Sequence, residues 1–287
     1  MAADYEIREV DLLVDHHGHQ RHLWCDVHQP RGTARGTVLI AHGFKGYKDY
    51  GMFPRLAGVL AEAGWATVRF NFAHSGMTRN HQAFERPDLF ALDTWNAQVC
   101  DLEHLVGAVR AGALADVDPA APVVLLGHSR GGLASILAAG RGLPVELVIS
   151  VAAPADPCRL SEDHRAQLRS GTGVPVQSDR TGQTLLIGPQ FLHEITSDPG
   201  GHDVLAMAAR LGRRLVVVHG LEDRTVGVED AHAIAERAGI TPVLVAGGDH
   251  VFNVTNPHPP EDPPSPQLAE LETAVLAALG RLDGSDS

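Results

Sequence analysis

The sequence predicts an α/β fold, with a mostly parallel, twisted sheet and helices on both faces. Short apolar runs rich in β-branched residues alternate along the chain with segments of helical periodicity. Such alternation is typical of strands joined by crossover helices, which makes neighbouring strands parallel. With 287 residues, 44% of them hydrophobic, the chain can bury a large core. We therefore expect one domain over residues 1–287.

The first part of the chain predicts an antiparallel hairpin followed by parallel strands. Residues 5–13 and 20–28 are two strands around a polar turn, and the apolar runs 37–41 and 65–71 are further strands. Between the last two lies a helix that ends at Gly64, where a left-handed stop is needed. Its inward side chains are Phe53, Leu56, Ala57, Leu60 and Ala61.

The same alternation continues to the C-terminus. Strands are predicted at 122–126, 146–153, 215–219 and 242–246, and helices at 131–139 and 228–238. Another helix carries Trp95, Val99, Leu102, Val106 and Val109 on one face. Ser265 as N-cap, Pro266 at the first helical position and Gly280 beyond the end delimit a final helix.

Residues 154–200 interrupt the alternation, and we expect them to form a small lid insertion above the sheet. This segment has no succession of strand and helix, but has an acidic and basic stretch at 161–170. A small hairpin is predicted within it, from 174–177 through a turn into 184–187. Residues 283–287 have the composition of a disordered tail.

Composition and charge argue against several classes of partner. A formal net charge of −12 disfavours nucleic acid and anionic membranes. Cys25, Cys100 and Cys158 lie far apart, which fits neither a disulfide framework nor a zinc site. The sequence shows no secretory apolar region and no apolar run long enough to span a membrane. We expect a cytoplasmic protein that acts on a small molecule without a cofactor, with a homodimer left open.

The motif GHSRGG identifies Ser129 as a candidate nucleophile. Ser129 follows an apolar strand and precedes a helix, so its backbone must turn sharply and present the side chain above the sheet. Close packing of strand and helix leaves little room two positions before and after it, and Gly127 and Gly131 stand there.

A serine nucleophile requires a histidine base and a carboxylate, and both follow later strands. Asp223 comes after strand 215–219 and His250 after strand 242–246. Carboxyl ends of parallel strands meet at one edge of the sheet, so the three side chains can converge. Glu222 and Asp249 compete with Asp223, although Asp249 is a sequence neighbour of His250 and poorly placed to hydrogen-bond its ring.

An acyl-transfer site also needs donors for the developing oxyanion. The loop HGFKGYKD, residues 42–49, follows the strand 37–41. We expect the backbone N–H groups of Phe44 and Arg130 to form the oxyanion hole.

With these motifs in place, residues 10–282 resemble the α/β-hydrolase superfamily. GHSRGG, HGLEDRTV and GGDHVF are similar to its nucleophile, acid and histidine motifs, in that order. The closest resemblance is to the bacterial branch with cinnamoyl and feruloyl esterases, dienelactone-hydrolase-like and serine aminopeptidase-like proteins. It implies an α/β-hydrolase fold in which the insertion before the acid strand covers the site.

Other residues invite functional readings that we consider weaker. Ser75 also follows a strand, but Ala73 and Met77 stand two positions before and after it in place of glycine, so we expect loop hydrogen bonding. The run DHHGH at 15–19 is a poor metal site, because consecutive turn residues rarely converge on one ion. Lys45, Tyr47, Lys48 and Arg130 are candidates for a locally basic pocket mouth, but we expect them to be mainly a solvated surface.

The leading hypothesis is a serine hydrolase that cleaves a carboxylic ester through an acyl-enzyme. The alternative is a peptidase, amidase or thioesterase with the same Ser129, His250 and Asp223. A third reading is a binding protein that retains the fold without catalysis. With 5% aromatic residues, the composition favours an aliphatic or small aryl pocket over a stacked one.

Overall fold

The computed structural model describes residues 4–282 and confirms the predicted α/β architecture. An eight-stranded sheet carries helices on both faces, and a separate two-stranded sheet lies in the segment between its sixth and seventh strands in chain order. The strands are β1 Tyr5–His16, β2 His19–Pro30, β3 Thr37–Ala41, β4 Ala66–Phe70, β5 Val123–His128, β6 Leu147–Val151, β7 Val174–Gln177, β8 Thr184–Ile187, β9 Leu215–Gly220 and β10 Val243–Val245. The α-helices are α1 Phe53–Glu62, α2 Pro87–Phe90, α3 Trp95–Arg110, α4 Arg130–Gly140, α5 Glu162–Arg169, α6 Pro189–Ser197, α7 Val204–Leu211, α8 Val228–Ala238 and α9 Pro266–Gly280.

The order of strands explains why the candidate site residues converge. The sheet runs β1-β2-β4-β3-β5-β6-β9-β10. β1 and β2 pair antiparallel, as do β2 and β4, whereas all pairs from β4 to β10 are parallel. The segments that follow β3, β5, β9 and β10 therefore emerge at the same edge.

The core consists of two apolar layers, one on each face of the sheet. Alternate residues of β3 enter opposite layers, with Leu39 in one and Val38 and Ile40 in the other. Helices α3, α4, α7 and α8 pack on the first face, and α1 and α9 pack on the second. Because both faces are covered, β3 is buried along its whole length.

The segment between β6 and β9 departs most from the prediction. The hairpin β7–β8 has the predicted bounds, but helices α5 and α6 were not predicted and show that the expected lack of regular structure is wrong. α5 begins after Ser161, whose hydroxyl accepts the N–H of His164, and it buries only Leu168. At eight residues, with a strongly polar sequence, α5 has too short an apolar stripe to be recognised as a helix from its pattern.

Two smaller points concern the C-terminal part. Ser265 caps α9 as predicted, but Gly280 is the last residue of the helix and not a residue beyond it. The predicted tail at 283–287 lies outside the described residues. Between residues 4 and 282, no helix has both the length and the apolarity needed to cross a membrane.

Candidate active site

Ser129 lies in the sharp turn between β5 and α4. Its backbone has φ +53° and ψ −121°, a conformation that a non-glycine residue adopts only at an energetic cost. A Cβ on Gly127 would lie 2.2 Å from the carbonyl oxygen of Gly131, and one on Gly131 would lie 2.3 Å from that of Ala41. The two glycines thus allow the strand, the helix and the neighbouring strand β3 to approach closely enough to hold this turn.

The structure brings Ser129, His250 and Asp223 together. His250 Nε2 lies 3.1 Å from Ser129 Oγ, and His250 Nδ1 lies 2.7 Å from Asp223 Oδ2. Since the carboxylate can only accept, Nδ1 carries the proton and Nε2 is free to accept the serine hydroxyl. The three side chains form one continuous hydrogen-bond chain.

Asp223 is held by more than the imidazole. Its Oδ1 accepts the backbone N–H groups of Thr225 and Val226, and Nε2 of the buried His219 lies 3.4 Å from Oδ2. Burial alone would raise the pKa of the Asp223 carboxyl, but hydrogen bonds from His219, His250 and Val226 outweigh it and lower the pKa well below its usual range. Asp223 is therefore a fixed anion at neutral pH.

The competing carboxylates lie elsewhere. Asp249 Oδ1 accepts the N–H groups of Val251 and Asn253 and so shapes a local turn. Glu222 is exposed. The hydroxyl of Ser75 donates to the carbonyl of Phe72 at 2.7 Å, which is the loop hydrogen bonding predicted for it.

The loop after β3 packs directly on the serine. A Cβ on Gly43 would lie 3.1 Å from Ser129 Cβ, so the chain passes Ser129 at Gly43 and continues into Phe44. Arg130 is the first residue of α4, where a helix leaves its N–H groups unpaired. The backbone N–H groups of both predicted oxyanion residues thus lie in segments adjoining Ser129.

His42, which precedes this loop, keeps it in position. Its Nδ1 donates to the carbonyl of Gly43 at 2.9 Å, and its Nε2 accepts the N–H of Phe72. Burial lowers the pKa of His42 to about 4, so the ring is neutral and retains this donor and acceptor pattern.

Sequence reasoning missed two histidines that support the site. His128, directly before Ser129, donates from Nε2 to the carbonyl of His250 at 2.7 Å. His219 contacts both the carbonyl of Val226 and Asp223. Each lies at the carboxyl end of a strand that points to the site. That position was the only signal in the sequence that could have identified them.

The prediction that Lys45, Tyr47, Lys48 and Arg130 form mainly a solvated surface is wrong for three of them. The side chain of Tyr47 is buried. Lys48 Nζ pairs with Asp26 at 2.6 Å and with Asp49 at 2.8 Å. The Arg130 guanidinium is buried, lies 3.4 Å from Asp93 Oδ2 and sits among the rings of Phe44, Trp95 and Phe191. Burial raises the pKa of Asp93 to about 6, against the opposing effect of Arg130.

Two cavities open on either side of Ser129. We call the first the histidine-side pocket; it measures about 190 Å³ and is lined by His250, His128, Tyr50, Lys45 and Arg180, among others. The second, the aromatic pocket, measures about 250 Å³ and is lined mainly by Phe44, Trp95, Phe191, Ile187, Leu160 and Val226. The aromatic lining contradicts the expectation from composition, because three of the few aromatic residues are concentrated here.

The remaining predicted candidates do not join the site. His16, from the run DHHGH, is buried and hydrogen-bonds Asp101 at 2.6 Å through Nε2. Across residues 4–282, no three His, Cys, Asp or Glu side chains are grouped as ligands of a metal ion. A larger cavity of about 570 Å³ lies between β10 and α9 and contains none of the candidate residues.

Comparisons with known proteins agree with this fold. A family model described as serine aminopeptidase, S33, matches residues 32–163. No curated protein sequence matches the chain. Among solved structures, Est1E from Butyrivibrio proteoclasticus is 16% identical with a TM-score of 0.63, covering 94% of this chain and 99% of its own. The esterase domain of a Rhodothermus marinus protein is 23% identical with a TM-score of 0.62, covering 96% and 98%. A monoacylglycerol lipase from Paleococcus ferrophilus is 15% identical with a TM-score of 0.62, covering 90% and 98%.

Fold and family match together indicate the class of protein. The chain has the α/β-hydrolase fold that its motifs predicted, and residues 32–163 resemble the serine aminopeptidase, S33, family. Its family match covers the segment from just before β3 to the start of α5, which includes Phe44 and Ser129.

Proposed function

We propose that this protein is a serine hydrolase that cleaves carboxylic esters through an acyl-enzyme. The observation that carries the proposal is the hydrogen-bond chain from Ser129 through His250 to Asp223. A serine hydroxyl becomes an effective nucleophile when an adjacent base accepts its proton and a third group orients that base.

In the first half of the reaction, Ser129 Oγ attacks the acyl carbon while His250 Nε2 takes the hydroxyl proton. The N–H groups of Phe44 and Arg130 would hold the oxyanion, an effect for which each donor typically contributes roughly 3 kcal/mol. His250 then gives the proton to the leaving alkoxide oxygen as the ester C–O bond breaks. Asp223, anionic and fixed by two backbone N–H groups, stabilises the imidazolium formed in between.

In the second half, water attacks the acyl carbon of the acyl-enzyme. His250 accepts a proton from that water and returns it to Ser129 Oγ as the acyl–serine bond breaks. The carboxylic acid product leaves, and the enzyme regains its starting protonation state. No step requires a cofactor.

The two cavities would hold the two parts of the ester. The leaving oxygen must reach His250 Nε2 to be protonated, and His250 lines only the histidine-side pocket of the two. We therefore assign that pocket to the alcohol part. The aromatic pocket, which adjoins Ser129, Phe44 and Arg130, is assigned to the acyl group.

A fluorophosphonate probe tests the proposal directly. The wild-type protein should be labelled, and Ser129→Ala should abolish both labelling and p-nitrophenyl ester hydrolysis. Ser75→Ala is the matched control, because Ser75 also follows a strand but bonds only within its loop. Absence of labelling in folded wild-type protein, or labelling that survives Ser129→Ala, would refute the assignment.

Amide or peptide cleavage is the second candidate, favoured by the S33 aminopeptidase description of the matching family model. The same Ser129 and His250 would act, with a leaving amine that needs a firmer protonation step. Turnover of p-nitrophenyl esters compared with aminoacyl anilides distinguishes the two. Selective cleavage of the anilides would replace the ester proposal.

A further inference from the structure

The histidine-side pocket contains two cations that have no carboxylate partner among residues 4–282. Lys45 and Arg180 both line it. Lys45 Nζ donates to the carbonyl of Gln177 at 2.6 Å, and Arg180 donates to the carbonyl of His81 and to Met77 Sδ. Within residues 4–282, neither makes an ion pair. Asp179 also lines the pocket, but it is exposed and pairs with neither cation.

The Arg180 guanidinium is held in place before any ligand arrives. Its Cζ lies 4.6 Å from the ring centre of Tyr47 and 5.2 Å from that of Phe84. Its Nε is buried and has no hydrogen-bond partner among the described residues. A buried donor without an acceptor is costly, and an acceptor that reached it would be bound strongly.

Lys45 adopts a backbone conformation that is energetically costly for a residue other than glycine. Its backbone has φ +57°, in the left-handed region that glycine adopts more easily. A glycine there would relieve the backbone but would remove the ammonium group from the pocket.

Two other cations near the site are, in contrast, neutralised by carboxylates. Lys48 pairs with Asp26 and Asp49, and Arg130 lies against Asp93. In a chain with a formal net charge of −12, uncompensated positive charge beside the nucleophile points to an anionic ligand.

We propose that the alcohol part of the substrate carries a carboxylate, which Lys45 and Arg180 bind in the histidine-side pocket. The inference rests on the proposed ester hydrolysis and adds the substrate class. A carboxylate suits both cations, since a guanidinium binds it in a bidentate manner and an ammonium adds a point charge. The pocket of about 190 Å³ accommodates a single ring or a short chain in addition to the anion.

A matched pair of esters tests the proposal. Hydrolysis of 4-carboxyphenyl butanoate is compared with that of 4-carbamoylphenyl butanoate, which differs only in replacing the carboxylate by a neutral amide. We expect Arg180→Gln to lower the ratio of their kcat/KM values at least about tenfold, chiefly through KM of the anionic ester. Lys45→Gln should lower the same ratio. Comparing ratios between variants cancels the different intrinsic reactivity of the two esters.

Salt and a distant arginine provide the controls. Added salt should raise KM for the anionic ester and leave the neutral ester unaffected. Arg169→Gln removes an exposed positive charge from α5, on the same insertion but outside the pocket, and should leave the ratio unchanged. Thermal unfolding of each variant checks that it is folded.

Different failures have different meanings. If neither ester is hydrolysed and the fluorophosphonate does not react, the proposed function itself fails. If both esters are hydrolysed but the ratio is unaffected by Arg180→Gln and Lys45→Gln, only the carboxylate proposal is overturned. If the two variants instead impair p-nitrophenyl hemisuccinate relative to p-nitrophenyl butanoate, the pocket binds the acyl part and the assignment is reversed.

Discussion

Ser129 holds a strained backbone conformation because three chain segments meet around it. β5 ends at His128, α4 begins at Arg130, and β3 lies beside both. These segments touch at the two glycines of the motif, Gly127 and Gly131. At both positions the neighbouring backbone is too close for any side chain to fit. This constraint is local enough to be visible in five residues of sequence, which is why the motif predicted the turn.

Gly131→Ala should be strongly destabilising, because its Cβ would lie 2.3 Å from the carbonyl oxygen of Ala41 and would force β3 and α4 apart. We expect a loss of about 1–3 kcal/mol in the free energy of unfolding, measured by urea denaturation. Gly107→Ala is the control within helix α3, where a Cβ meets no atom within 4 Å. That substitution should stabilise by about 0.5–1 kcal/mol. Equal effects of the two would contradict the packing argument.

Helix α9 stabilises the loop that carries His250. Ser265 Oγ accepts the N–H of Leu268 as an N-cap and donates to the carbonyl of Phe252 at 2.5 Å. Phe252 is fully buried and follows His250 by two residues. One hydroxyl thus links the start of the helix to the segment that presents the catalytic candidate.

Ser265→Ala should cost about 1–2 kcal/mol in the free energy of unfolding, because the helix loses its cap and the Phe252 carbonyl loses its donor. Thr273→Ala is the control in the same helix, where an exposed hydroxyl bonds only the carbonyl of Ala269. Its effect should stay within about 0.5 kcal/mol. Denaturant titration measures the stability of the two variants. Indistinguishable losses in the free energy of unfolding would rule out the capping role.

The secondary-structure elements differ in how clearly the sequence predicts them. β3 and β5 are uninterrupted apolar runs because they are buried on both faces, and they were predicted. α5 and α6 were missed because they are only eight and nine residues long and bury one and two side chains, which leaves too short an apolar pattern to recognise. Their position over the sheet edge depends on contacts with distant elements, which no local pattern records.

The whole molecule should be sensitive to mild acid. Burial lowers the pKa of His28, His74 and His128 to about 3 and that of His42 to about 4. In the unfolded chain these four histidines bind protons below about pH 6.5. In the folded state they do so only near pH 3 to 4. Stability is therefore present above about pH 6.5 and is lost as the pH falls towards the folded values. The raised pKa values of Asp93 and Asp101 have the opposite effect, because these carboxyl groups bind protons more strongly in the folded state. Two such carboxyl groups stand against the four buried histidines.

The free energy of unfolding should consequently fall by at least about 1 kcal/mol per pH unit between pH 6 and 5. His74→Phe keeps an aromatic ring beside His16 and removes one such proton, so the slope should decrease by about 1 kcal/mol per pH unit. The control is His232→Gln, at an exposed position on α8. Urea denaturation at pH 7, 6 and 5 measures the slopes, and a His74→Phe slope equal to that of wild type would refute the explanation.

The sequence by itself determined the strands, the helices α1, α3, α4, α8 and α9, the serine turn and the three segments from which the candidate triad comes. These features depend on local hydrophobic periodicity and on glycines at fixed offsets, so neighbouring residues suffice to reveal them. The tertiary structure alone decided which carboxylate meets His250, which histidines support the site, and how charges are paired around it. Among residues 4–282, Lys48 and Arg130 are paired with carboxylates while Lys45 and Arg180 are not, because pairing depends on side chains that are distant in the chain and adjacent only after folding.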